Sequence, residues 1–226
     1  MNWIFENLGP IGDATLTHLE LSVPPIILSF VLSVPIGWLA NRFRASRAIL
    51  LTIAGLLYAV PSLPLLILIP SIIGTGLRDS INVIIALTLY GMALMVRSTA
   101  DALDAVDVDV KQSATAVGFS AWDRFWQVEF PLAGPILLAG LRVVVVSTVS
   151  LVTIGGVLGI GGLGLLFTDA FQRQIYSEII AGIVIVVAIA LVLDFLLVLL
   201  GRALMPWSRA DRALSARARR RVVVAS

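Results

Sequence analysis

Residues 143–168 read VVVVSTVSLVTIGGVLGIGGLGLLFT, 26 consecutive positions without one charged side chain. A helix needs about 20 apolar residues to cross the hydrocarbon core of a bilayer, so this run is long enough to span one. Outward from it the pattern repeats. Residues 21–41, 48–77 and 80–96 are equally free of charge, and residues 179–201 hold a single acid, Asp194. Hydrophobic residues make up 59% of the 226-residue chain and charged ones 13%, against roughly 45–50% apolar and 25% charged in an average soluble domain. A water-soluble fold has nowhere to hide that much apolar surface. The expected fold is therefore an all-α membrane protein of about five transmembrane helices.

Sidedness follows from the basic residues. With an external amino terminus, an odd number of spans leaves the carboxyl terminus in the cytoplasm. All but Arg78 and Arg173 of the 16 Lys and Arg then fall in cytoplasmic loops or helix ends, which is the positive-inside distribution. The pI of about 9.5 is a consequence of that topology. Arg219, Arg220 and Arg221 read as part of a tail held against anionic inner-leaflet lipid, and no nucleic-acid partner is expected. The chain has no cysteine, which excludes disulfides and thiolate metal sites. No Lys or Arg precedes Arg42, so the basic start of a cleavable signal peptide is missing and no removed segment is expected. The expected location is the plasma or inner membrane, with multiple passes.

Along the chain, residues 1–14 form an external lead that could lie at the interface through Trp3 and Phe5. Span one is interrupted by Pro24, Pro25 and Pro35 and ends in a basic turn. Span two contains Pro61, Pro64 and Pro70. Each proline removes a backbone donor, so this helix should kink or unwind, as the wall of a pathway or as a kinked packing helix. Span three leads through Arg97 into the longest polar stretch, residues 98–131. There Asp101, Asp104 and Asp107 are spaced to share one helical face, a solvated surface near a partner; with no histidine nearby, no metal site is expected. Residues 205–226 make a basic cytoplasmic tail.

Within the polar stretch, Val110, Ala114 and Val117 recur at i, i+4 and i+7 and give a short helix with one narrow apolar stripe. Gly118 can end that helix with a positive backbone dihedral, and Ser120 or Asp123 can cap the segment that follows. Phe119, Trp122, Phe125 and Trp126 supply an aromatic anchor, and Pro131 is placed to start span four, where a missing donor costs nothing.

The string Gln112-Ser113-Ala114-Thr115-Ala116-Val117-Gly118, followed by Val128-Glu129-Phe130-Pro131, resembles the Glu-Ala-Ala loop of ABC importer permeases. In that family the glycine follows the glutamate by six positions and the proline follows the glycine by thirteen. Both spacings hold, with Gln112, Ser113 and Phe130 departing from the usual Glu, Ala and Leu. The strings Tyr58 to Pro64, Ala86 to Tyr90, Val96 to Thr99, Leu138 to Arg142 and Gly161 to Gly164 look like the permeases of osmoprotectant importers, which carry glycine betaine, carnitine, choline or proline betaine. The resemblance implies a type-1 importer permease domain over residues 15–204, with a coupling helix between spans three and four. It implies that Lys111, Gln112, Ser113, Ala114, Val117, Gly118, Asp123 and Pro131 face an ABC ATPase subunit. A second permease subunit, a copy or a paralogue, and an extracytoplasmic solute-binding protein complete the implied assembly.

The chain should not itself be an enzyme. A phosphate-binding loop needs a lysine after its glycines, and the only lysine is Lys111, so ATP and magnesium belong on the partner subunit and no cofactor is expected here. Gly159-Ile160-Gly161-Gly162-Leu163-Gly164 matches a dinucleotide fingerprint, but it sits in a membrane run with no strand and helix units around it. These glycines are expected to break the external end of span four or to let helices approach closely, and either could form a gate. Pathway and gate candidates are Pro61, Ser62, Thr88, Tyr90, Ser147, Ser150, Gly155, Gly161, Gly162 and Gly164. Arg142, eleven residues past Pro131, and Asp194, eight before Arg202, lie at similar depth; either they pair between spans four and five, or each reaches the cytoplasmic interface alone. His18, the only histidine, is expected at the interface or in the core. Two rival readings are a permease for amino acids such as methionine and an ion-coupled secondary transporter. The second predicts mid-membrane carboxylates and an internal repeat, neither of which is clear in the sequence.

Overall fold

The computed structural model describes residues 6–207, and no strand occurs among them. The lead segment Trp3 and Phe5, and the basic tail from residue 208 onward, lie outside the described residues. Four helices are long and apolar enough to cross a membrane, and a bent pair makes up to five. In chain order they are α1 (Leu8–Arg42), the pair α2 (Arg44–Ala59) and α3 (Ser62–Ile73), α4 (Ser80–Asp104), the short α5 (Val108–Ala116) and α6 (Ala121–Arg124), then α7 (Phe130–Gly155), α8 (Gly164–Arg173) and α9 (Tyr176–Leu204).

Several element boundaries differ from the sequence reading. The first helix begins at Leu8, so residues 8–14 belong to it and not to a separate lead. At about 1.5 Å per residue its 35 residues reach roughly 50 Å, well beyond a bilayer core of about 30 Å. Pro24, Pro25 and Pro35 lie inside it without ending it. Pro61 does break its segment: α2 and α3 meet at 104°. The residue before a proline is driven to extended backbone, and Val60 adopts φ −65°, ψ 128°. Pro64 lacks the N–H that would have met the Val60 carbonyl, and the Tyr90 hydroxyl donates to that carbonyl instead.

Pro131 stands in the first turn of α7, as expected, but no loop separates that turn from α6. A continuous apolar helix runs Ala121–Leu158, and Phe125–Glu129 within it is a π turn in which the Phe130 N–H reaches the Phe125 carbonyl. The widened turn takes up the register ahead of the proline. Nor do the three aspartates share a helical face: α4 ends at Asp104, and Asp107 is the N-cap of α5. Asp104 is instead paired with Arg47 at 2.6 Å.

The central helix is α4, which packs against α1, α2, α3 and α7. Its contacts are close because small residues meet there. A Cβ placed on Gly91 would lie 2.6 Å from Ser29 Cβ, and one on Gly37 would lie 2.5 Å from Thr99 Cβ. Such small-residue seams are how membrane helices gain dispersion contact without a hydrophobic drive. Ser29 with Gly91, Gly37 with Thr99 and Asn41 with Asp104 advance in step, so α1 and α4 are parallel. The pair α2 and α3 is the return between them. Val83 with Gly155 and Ser98 with Gly140 run in opposite senses, which makes α7 antiparallel to α4. Of the most apolar stretch of α9, 6% is buried, against 61% in α4, so α9 is the least buried of the four long spans.

Candidate functional site

One end of this bundle carries α5. Asp107 caps it by accepting from the Asp109 N–H at 2.8 Å, and it stops where Gly118 takes φ +102°, a conformation that L side chains resist. The Phe119 N–H then closes back on the Ala114 carbonyl at 3.1 Å. Ser120 caps α6 by accepting from the Asp123 N–H at 3.2 Å, and the chain turns into the long helix. No residue of α5 is buried, and Val117 beside it is 80% exposed. Lys111, Gln112, Ser113, Ala114, Val117, Gly118 and Asp123 thus gather on one protruding segment, while Pro131 lies in the first turn of α7.

Polar ties hold the segment. Lys111 Nζ donates to the Leu103 carbonyl at 2.6 Å, satisfying an orphan acceptor at the end of α4. Arg124 Nη1 donates to Thr115 Oγ1 at 2.8 Å, and its Nε donates to Glu129 Oε1 at 2.6 Å. Glu129 is buried. A shallow depression of about 400 Å³ lies between α5 and Arg124, lined by Val108, Lys111, Gln112, Thr115, Ala116 and Arg124. Behind it, Trp38 of α1 meets Trp122 and Phe125 with ring centroids 6.3 and 5.7 Å apart, and Trp126 and Phe130 extend the cluster. Aromatic edge and offset contacts of this kind fix the loop against the first span.

The pathway candidates do not form one lining. Thr88 is buried and its hydroxyl donates to the Ile84 carbonyl of its own helix at 2.7 Å. Tyr90 is buried and occupied with Val60 at the break in span two. Pro61 and Ser150 are exposed, and Ser62 and Ser147 are half-buried. Ser147 and Ser150 fall on the same face of α7 as Leu151 and Ile154, which pack into a cluster with Leu66 and Ile69 of α3. At the other end of the bundle, the glycines end the helix. Gly159, Gly161 and Gly162 have positive φ, and a Cβ on Gly156 would lie 2.1 Å from the Gly164 carbonyl carbon. Gly155 is buried beside Val83.

Arg142 Nε and Nη2 donate to the two oxygens of Asp194 at 2.6 and 2.8 Å, a two-pronged pair between α7 and α9. His18 is fully buried in the core, with Nε2 3.0 Å from the Val149 carbonyl, tying α1 to α7 beside Gly162. Thr115, Arg124 and Glu129 were not among the site residues read from the sequence. The five-residue spacing of Arg124 and Glu129 matches no α-helical pair and becomes meaningful only with the π turn in place.

A family model described as "Binding-protein-dependent transport system inner membrane component" matches residues 21–209. The osmoprotectant import permease protein OsmW of Salmonella typhimurium is 32% identical over 200 residues, covering 87% of this chain and 93% of the relative. The glycine betaine/carnitine/choline transport system permease protein OpuCB of Bacillus subtilis is 26% identical over 206 residues, covering 91% and 94%. Among solved structures, an inward-facing MetNI methionine ABC transporter superposes with a TM-score of 0.76 at 20% identity, covering 83% of this chain and 92% of that one.

Proposed function

The chain belongs to the binding-protein-dependent transport system inner membrane components, and on that premise we propose that it is the membrane-spanning subunit of an ATP-driven importer of compatible solutes. Glycine betaine, choline, carnitine and proline betaine are the cargo class. Likeness to OsmW along most of both chains supports that choice. A methionine-type amino acid importer is the second reading, supported by the shared architecture with MetNI, which at 20% identity carries fold and not cargo.

The observation that carries the reading is α5, a capped helix with no buried residue, held rigidly at the basic end of the bundle. A helix left bare at such cost in exposed valine fits a partner's groove. That partner is an ABC ATPase subunit, which brings ATP and magnesium. A second permease, copy or paralogue, places an equivalent α5 in the second groove of a twofold ATPase pair. Arg42, Arg47, Arg97, Lys111, Arg124 and Arg202 lie at the α5 end, while Arg78 and Arg173 lie at the other. This asymmetry supports a cytoplasmic α5 and carboxyl terminus and an external amino terminus. Solute arrives from an extracytoplasmic binding protein, whose aromatic groups would select a quaternary ammonium by cation–π attraction. The spans then alternate access as the ATPase pair closes, and the chain moves cargo without chemistry.

Gly118→Arg tests this. A non-glycine residue at φ +102° costs about 1–2 kcal/mol in backbone strain, and it places a cation in the docking surface. The variant is expected to reach the membrane at normal abundance, to lose the co-purifying ATPase, and to import labelled betaine, choline, carnitine and proline betaine at background rate. Normal ATP-dependent uptake would overturn the coupling role. Wild-type uptake of methionine with none of the four solutes would shift the cargo to the second reading.

A further inference from the structure

A displacement of α5 reaches the membrane spans only through what holds α5. No residue of α5 is buried, so apolar packing holds little of it. The backbone on either side turns sharply, at residues 105–107 and at Gly118. Lys111 ties α5 to the end of α4. The tie to α7 is Arg124.

Between α5 and α7 lies the π turn Phe125–Glu129, set inside a helix that otherwise runs unbroken from Ala121 to Leu158. A π turn is a rare, widened section of helix, and such turns recur at functional sites. Phe125 packs this one on Trp38 of α1, and what ties it to α5 is polar. Arg124 Nε reaches Glu129 Oε1 at 2.6 Å across five residues, the same reach as the Phe130 to Phe125 backbone bond that defines the turn. The ion pair therefore runs alongside the turn as a brace. Glu129 is 3% exposed, so its contact with the guanidinium is shielded from water and held. The same guanidinium reaches sideways through Nη1 to Thr115 Oγ1 at 2.8 Å, and Thr115 in turn donates to the Lys111 carbonyl at 2.9 Å. One planar fork thus joins the outer helix to the foot of the span, a geometry an ammonium cannot reproduce.

We propose that Arg124 is a positioning residue that stiffens the π turn and clamps α5 to it, so that movement of α5 carries α7 as one piece. This rests on the reading of α5 as the ATPase-docking helix. The chain has no cysteine, so spin labels can be placed at Gln112→Cys on α5 and Val146→Cys on α7, both exposed, without removing any native thiol. In nanodiscs the otherwise native chain is expected to give one narrow distance distribution by pulsed electron resonance, and Arg124→Met a broadened one. In the complete transporter in liposomes, Arg124→Met should keep the ATPase bound and hydrolysing. Its uptake per ATP of the solute that the wild type imports should fall roughly two- to thirtyfold, the range for residues that carry coupling between distant sites. Thr115→Val removes the exposed acceptor of the clamp together with its donor bond to the Lys111 carbonyl within α5, and is read the same way should Arg124→Met fail to fold.

An unchanged distance distribution overturns the clamp. A broadened distribution with unchanged uptake per ATP also overturns it, because the contact would then be local structure alone. The docking reading is tested separately by Val117→Arg, at a side chain outside the clamp. If that variant keeps both ATPase and transport, the docking reading fails. If it releases the ATPase while Arg124→Met keeps its uptake per ATP, the clamp fails alone.

Discussion

Arg142 and Asp194 lie within membrane spans because each neutralises the other through both oxygens of the carboxylate. Their equal depth is legible from counting along two helices, since the rise per residue is fixed. Removing one partner leaves a lone charge at that depth. Asp194→Leu and Arg142→Leu should each lower stability by up to about 3 kcal/mol, the scale for an unpaired charge within a span. The double variant Arg142→Leu with Asp194→Leu should recover most of it. Thermal unfolding in detergent, read as a double-mutant cycle, checks this, and additive losses would show that the pair is not coupled. Thr88 and Tyr90 mark the limit of such counting. Both are polar residues in spans, yet they point into the subunit, because lipid and core are equally apolar and sequence periodicity does not tell one face from the other.

At the scale of elements, proline alone does not decide a break. Three prolines leave α1 continuous, while Pro61 turns its segment by 104°. What distinguishes the second site is Tyr90, thirty residues away in sequence, which supplies the donor that Pro64 lacks. A sequence displays the prolines and hides their remote partner. Tyr90→Phe keeps the ring and removes that donor, leaving the Val60 carbonyl unpaired. It should cost about 1–3 kcal/mol in thermal stability, and an unchanged unfolding temperature would show that the break sustains itself. The segment from Val110 to Asp123 was readable in its left-handed glycine and its Ser120 cap, which are local features, whereas Asp107 was read as part of a helical face and is a cap. The π turn was not, for no local spacing announces it and its Phe125 packs on Trp38, which is remote in sequence.

For the whole molecule, parallel α1 and α4 require a full return between them, which fixes an odd number of crossings and puts α5 and the carboxyl-terminal end of α9 on the same side. Run lengths and arginine asymmetry made that count legible; the low burial of α9 among the long spans was not, because its sequence is apolar on every face. Single cysteines test the sidedness. Gln112→Cys should react with a membrane-impermeant maleimide only in inside-out vesicles, and Gln172→Cys only in intact cells or spheroplasts. The reverse pattern would invert the protein and remove α5 from any cytoplasmic ATPase. The seam between α1 and α4 has a mechanical corollary. Where Gly37 faces Thr99 and Gly91 faces Ser29 there is no room for one added methyl, so the two rods interlock notch against tooth and resist slipping lengthwise. In the alternating-access motion proposed above, this pair would tilt as one block, with sliding confined to neighbours that are less tightly toothed.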